Sequence, residues 1–207
     1  MGRGGEPAGA VPTAPAVNML MRAVEMLIVV RHGDAGGKRG WNGPDVLRPL
    51  SPAGWCQAEG LVLRLEDYPV ERILCSPTVR CHQTVEPLAR DRFLWIERVA
   101  GLGAEASTAE VVALVQNHEL DDTVLCTHNE VIGRLLPQLV ADGLVVEEPM
   151  RWPEGSTWLL QRNGQRRTRA RYLPPLALDR RARTTRDNRA GAGPQLANAS
   201  RRSDRTR

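Results

Sequence analysis

Residues 24–33 read VEMLIVVRHG. From Val24 to Arg31 the run is almost unbroken in its apolar character and rich in β-branched residues, with Glu25 the only acid in it. A strand with one wet face alternates apolar and polar residues. A continuous run marks a strand covered on both faces, as in parallel sheets sandwiched between helices. The run stops at Arg31-His32-Gly33, so the carboxyl end of this strand delivers two chemistry-bearing side chains and then a glycine.

Working outward, strand and helix patterns alternate. Ser51-Pro52 opens a helix, with Ser suited to the N-cap and Pro to the first turn, and Trp55, Ala58, Leu61, Val62 and Leu65 recur at helical spacing. A short strand spans Glu71–Cys75 and a helix follows over Pro77–Arg90. Leu94–Val99 reads as a third strand, Thr108–Asn117 as a helix, Thr123–Thr127 (TVLCT) as a strand and Asn129–Ala141 as a helix. Thr157–Arg162 and Arg167–Tyr172 form a last strand pair about the turn Asn163-Gly164. The order predicts an α/β, three-layer sandwich with a mainly parallel central sheet flanked by helices. Ligands of such sheets bind beyond the carboxyl ends of the strands.

The 207 residues divide into an N-terminal extension over 1–22, a domain over 23–175 and a basic tail over 176–207. Both ends lack a packing pattern and are expected to be disordered, the first being rich in Gly, Pro and Ala. From Asp179 onward nine arginines face three aspartates, giving +6 against a chain total of +4, so the rest of the chain carries −2. The basic balance therefore belongs to the tail. It is read as a solvated extension or as a weak, salt-sensitive contact for nucleic acid; no aromatic residue is interleaved to stack on bases. No apolar run is long enough to span a membrane, and no secretory signal is legible. Cys56, Cys75, Cys81 and Cys126 form no CxxC pair and read as reduced core or near-core thiols of a cytoplasmic protein.

Three strands end in comparable residues: Arg31-His32-Gly33, Ser76-Pro77-Thr78-Val79-Arg80 and Thr127-His128-Asn129-Glu130. Two imidazoles and two guanidinium groups thus converge on one sheet edge. Arginine forks match phosphate oxygens and stay charged at every working pH. Neutral imidazole is a nucleophile able to form covalent intermediates. Together they supply the positioning and charge stabilisation that phosphoryl transfer needs, with no metal or cofactor. Gly33 would let the backbone approach a phosphate. His82 and His118 lie in helical segments without partners, and no metal-ligand spacing joins His32, His82 and His128.

The segments LIVVRHGDAG, RPLSPAGWCQAEGL, ILCSPTVRCHQTVEPLA and VLCTHNEVIG resemble, in order, the motifs of the histidine phosphatase (phosphoglycerate mutase-like) superfamily. The similarity runs over roughly 26–160. It is nearest to the SixA-like phosphohistidine phosphatases and to the phosphatase domain attached to some actinobacterial Nudix hydrolases, including EGSTWLL at Glu154–Leu160. The resemblance implies that His32 accepts the phosphoryl group, Arg31 and Arg80 hold its oxygens, and His128 hydrogen-bonds to it. It places Glu105, in GLGAEAS, where other branches keep a leaving-group acid, which SixA lacks. Arg48 and Asn129 are candidate substrate contacts beside Gly33, and Trp41 lies in a loop able to reach the mouth.

The resemblance implies a cytoplasmic phosphatase acting on a phosphorylated small molecule or a phosphohistidine protein, with no membrane partner. Two alternatives stand beside it. One is a catalytically weak phosphate- or nucleic-acid-binding module. The other is a mutase, against which Asp34-Ala35-Gly36-Gly37 counts because mutases usually continue RHG differently.

Overall fold

The long apolar run becomes the centre of the sheet. The structure, a computed structural model, describes residues 25–178. The extension over 1–22 and the tail from residue 179 lie outside the described residues. Within them the elements follow the order read from the sequence: β1 (Met26–Arg31), α1 (Pro52–Arg64), β2 (Arg72–Cys75), α2 (Val79–Arg92), β3 (Ile96–Arg98), α3 (Thr108–Gln116), β4 (Thr123–Thr127), α4 (Asn129–Ala141), β5 (Val145–Val146), β6 (Thr157–Asn163) and β7 (Arg166–Leu173). β3 is half the length expected, and the two-residue β5 was not foreseen, being too short to carry a pattern.

The strands form one seven-stranded sheet in the order β3-β2-β4-β1-β6-β7-β5. β1 pairs parallel with β4, β4 with β2, β2 with β3, and β5 with β7. Only β6 runs against its neighbours β1 and β7. The sheet is mainly parallel and is flanked by helices on both faces, the three-layer α/β sandwich expected from the sequence.

Both faces of β1 are covered, which accounts for its unbroken apolar run. Leu27 and Val29 join a core with Leu125, Trp158, Val111, Val115, Ile132, Leu135 and Leu139, under α3 and α4. Met26, Ile28 and Val30 face the other way into a core with Ile73, Val124, Leu61, Leu65, Val85 and Leu88, under α1 and α2. The three layers are thus fixed by side-chain alternation along one strand.

Local signals set the helix starts. Ser51 caps α1 by accepting from Gly54 N at 3.1 Å, with Pro52 in the first turn. Ser107 and Glu110 form a capping box on α3. By contrast α2 and α4, which begin at the sheet edge where the histidines emerge, have no side-chain cap. Beyond β7 the chain returns over α1, where Leu178 N donates to Cys56 O at 3.1 Å.

Candidate active site

The parallel ladder continues one residue past each strand. His32 N donates to Thr127 O at 3.0 Å and Ser76 N donates to Cys126 O at 3.0 Å. This register sets the residues after β1, β2 and β4 side by side on one edge. Arg80, in the first turn of α2, reaches in from the helix that follows β2.

The hydrogen bonds fix the tautomers. His32 Nδ1 lies 2.8 Å from Gly33 O; a carbonyl only accepts, so Nδ1 carries the proton and Nε2 the lone pair. Arg80 Nε–H donates to that Nε2 at 3.3 Å. Arg80 Nη2 donates to His128 Nδ1 at 3.4 Å, which leaves His128 Nε2–H to donate to Ser76 Oγ at 2.8 Å. The two imidazole centroids are 5.3 Å apart and inclined at 67°.

The cluster is nearly closed to water: His32 is 7 % exposed, Arg80 5 % and His128 1 %. Burial, the main cause, pushes the His32 pKa down to about 4. The ring is therefore neutral at neutral pH, the form a nucleophile requires. The uncapped starts of α2 and α4 add partial positive charge on the same side.

Thr84 holds the loop after His32. Its Oγ1 accepts from Gly33 N at 2.9 Å and donates to Arg80 O at 2.7 Å. One hydroxyl therefore ties the loop after His32 to the helix that carries Arg80. The space left by the missing side chain of Gly33 is taken by α1: a Cβ there would lie 3.0 Å from Gly54 O. A Cβ on Gly54 would lie 2.0 Å from Asp34 O. This close backbone approach, rather than access for a ligand, is what the structure shows at Gly33, whose N–H is already committed to Thr84.

The remaining sequence-predicted residues are placed less centrally. Arg31 sends Nη1 to Trp152 O at 2.7 Å and Nη2 to the Glu154 carboxylate at 3.1 Å, while its Nε is buried with no hydrogen-bond partner among the described residues. Arg48 Nη1 donates to Ala35 O and Gly36 O, both at 2.9 Å, and Nε to Asp45 Oδ1 at 2.9 Å, so it braces the loop after His32. Asn129 is exposed at the start of α4. Glu105 is exposed, in a loop pinned by Thr127 Oγ1 on Leu102 O at 2.7 Å and by Arg134 Nη2 on Ala106 O at 2.9 Å. Trp41 donates its ring N–H to Pro44 O at 3.0 Å within its own loop.

Three residues of the site escaped the sequence reading. Ser76 and Thr84 lie inside the quoted SPTVRCHQT segment, but their partners come from distant strands. Asp45 sits on a 3-10 turn at Asp45–Leu47 and holds Arg80 through its carbonyl and its carboxylate. Its signal was a lone acid between Lys38 and Arg48 at i+3 spacing from the latter.

A buried, neutral imidazole with its free lone pair against a guanidinium, and a second imidazole beside both, brings together on one sheet edge the kinds of group that phosphoryl transfer uses. The chain belongs to the histidine phosphatase superfamily: the profile of its branch 1 matches residues 27–110. The chain is 34% identical over 155 residues to an 8-oxo-(d)GTP phosphatase of Mycolicibacterium smegmatis, a match covering 72% of this chain and 48% of that protein. It thus spans about half the length of that curated relative. Among solved structures, a SixA from Nakamurella multipartitia superposes with a TM-score of 0.59 at 22% identity, over 75% of this chain and 98% of that one. The protein histidine phosphatase SixA complexed with tungstate gives 0.55 at 21% identity, over 73% and 96%. A mycobacterial glucosyl-3-phosphoglycerate phosphatase gives 0.53 at 17%, over 75% and 100%. At these identities the structural likeness speaks for the fold.

Proposed function

We propose that the chain hydrolyses a phosphomonoester or a phosphohistidine through a covalent intermediate on His32. The observation that carries this is the neutral Nε2 lone pair of His32, held against Arg80 in a site closed to water. In the first step Nε2 attacks phosphorus, the P–Nε2 bond forms and the bond to the leaving group breaks. In the second, water attacks phosphorus, the P–Nε2 bond breaks, and orthophosphate departs as the ring returns to its neutral state. Charge on the transferring oxygens is met by Arg80, by Arg31, whose buried Nε is free to donate, and by His128 once its Nδ1 carries a proton.

Glu105 is positioned on an exposed loop tied to Thr127 and takes the role of proton donor to an alkoxide leaving group. A phosphohistidine needs that help less, since imidazole leaves readily. Asn129 lines the approach in this reading and Arg48 braces the loop beside it, while Gly33 serves by admitting the backbone of α1. The name of the M. smegmatis relative adds a nucleotide phosphate to the substrates worth assaying. Among the described residues no helix is long and apolar enough to cross a membrane. Four free cysteines favour a reducing, cytoplasmic setting.

The test is to incubate the full chain with a labelled phosphate donor and seek an acid-labile, base-stable adduct that His32→Ala abolishes. A folded protein that takes no label and hydrolyses no member of a phosphate-ester, nucleotide and phosphohistidine panel would overturn the proposal in favour of a binding module.

A further inference from the structure

Arg80 has five N–H donors, and the hydrogen bonds of the resting site engage four of them. Nε goes to His32 Nε2 at 3.3 Å, Nη2 to His128 Nδ1 at 3.4 Å and to Asp45 Oδ2 at 3.2 Å, and Nη1 to Asp45 O at 2.7 Å. A phosphoryl group bound bidentately by a guanidinium needs two adjacent donors. Both available pairs end on Asp45 or on the histidines. The Asp45 carboxylate also accepts from Arg48 Nε at 2.9 Å and lies 3.9 Å from Lys38 Nζ. It therefore does what an incoming oxyanion would do: it places negative oxygen between the cations of the site.

We infer that Asp45 is a tethered counter-anion of the phosphoryl site, displaced from Arg80 whenever an oxyanion binds, and so a determinant of how tightly the site holds phosphate. The inference rests on the proposed phosphoryl chemistry. It also fits the burial of Arg80. His32 is 7 % exposed and Arg80 5 %, while the residue bonded to Arg80 sits on a short turn whose anchor, Arg48, holds the neighbouring loop through Ala35 and Gly36 independently of Arg80. The turn can release Arg80 and stay tethered through Arg48. A resting anion discourages retention of the product, orthophosphate, and keeps the guanidinium oriented when the site is empty.

The experiment titrates inorganic orthophosphate into the full-length wild type, Asp45→Asn and Asp45→Ala by calorimetry, alongside turnover of an aryl phosphate. Both variants should bind orthophosphate more tightly, by about tenfold, the size of one charge-assisted contact, and show stronger product inhibition. Unchanged or weaker phosphate binding in both variants overturns the inference, and assigns Asp45 to orienting Arg80. A second measurement needs no change at Asp45. Trp41 shares its loop, so orthophosphate should change wild-type tryptophan emission, and Trp41→Phe should remove that change; phosphate binding without a Trp41 signal counts against displacement. The two readings fail separately. Tighter phosphate binding without turnover or a His32 adduct sinks the enzyme reading alone. Normal turnover with phosphate affinity unmoved sinks the role of Asp45 alone.

Discussion

Arg80 Nε and His32 Nε2 stand 3.3 Å apart with the arginine as donor. A guanidinium cannot lose its proton at working pH, so this contact exists only while the histidine nitrogen is unprotonated. The electrostatics of the pair and the burial of the ring act in the same direction. They hold the histidine in its neutral form, with Nε2 as the acceptor.

The pH dependence follows. The His32 pKa is pushed down to about 4 from 6.5, chiefly by burial. The folded state binds this proton less readily than the unfolded chain, so the ring favours folding above pH 6.5, and that contribution is lost as pH falls from 6.5 towards 4. It amounts to about 3 kcal/mol. The acid limb of kcat/KM that belongs to His32 should fall near pH 4, and NMR titration of the ring should show the same midpoint. A midpoint near 6.5 would mean that the ring is solvated and the site is open.

Arg80→Lys keeps the charge and loses the fork. A single ammonium cannot serve His32, His128 and Asp45 together. We expect kcat/KM to drop by about 10²–10³, the usual effect of losing a preorganised donor, with thermal stability little changed. Steady-state kinetics beside a melting curve separates the two.

Ser76→Ala removes the acceptor of His128 Nε2–H, a 2.8 Å bond inside a fully buried site. The buried N–H keeps only the weak sulfur contact of Cys81 Sγ at 3.7 Å, a loss of about 1–3 kcal/mol, and the ring loses the stronger partner that fixes its orientation. The expected outcome is a fall in kcat of about tenfold or more while KM moves little, and Ser76→Thr should restore part of it. Equal losses in Ser76→Thr and Ser76→Ala would argue that bulk, not the hydroxyl, matters there.

Gly54→Ala tests the close backbone approach behind His32. Its Cβ would lie 2.0 Å from Asp34 O, and neither backbone can yield without moving the loop after His32. Overpacking of this kind costs about 1–3 kcal/mol, and activity should fall together with the melting temperature. An active, fully stable Gly54→Ala variant would show that the loop has slack the structure does not display.

At the far end of the sheet, Asp121 pairs with the buried guanidiniums of Arg162, at 3.0 Å, and Arg167. Asp121→Ala leaves both facing each other without that carboxylate. Breaking such a buried pair costs about 3–5 kcal/mol. The melting temperature should fall steeply, yet kcat below the transition should match the wild type, because none of these groups bonds to the histidine cluster. A selective loss of kcat would instead tie this network to the site.

Much of the fold was legible because its signals are local. The run before His32 is apolar on both alternating faces, and those faces do meet two separate cores. Ser51-Pro52 likewise acts over a few residues and falls where read, while the hairpin turn read at Asn163-Gly164 lies one residue later, at Gly164-Gln165, because Asn163 still pairs with Arg166. β5 was missed because two residues carry no period, and β3 was overlong because its edge position leaves only one neighbour to define it. Within the site, His32, Arg80 and His128 were legible as residues following strand ends. Asp45, Thr84 and the partners of Arg31 were not, since each bond joins segments far apart in the chain.

By itself the sequence determined the layers and which strand ends carry imidazole and guanidinium, since periodicity and local turns are written in neighbouring residues. Only the tertiary structure decided which nitrogen of each histidine bears the proton, that Arg31 is engaged by Trp152 and Glu154, and that Asp45 occupies Arg80. Those outcomes depend on distances across the sheet edge, and hydrogen bonds are settled by distance and direction in space, which no spacing along the chain encodes.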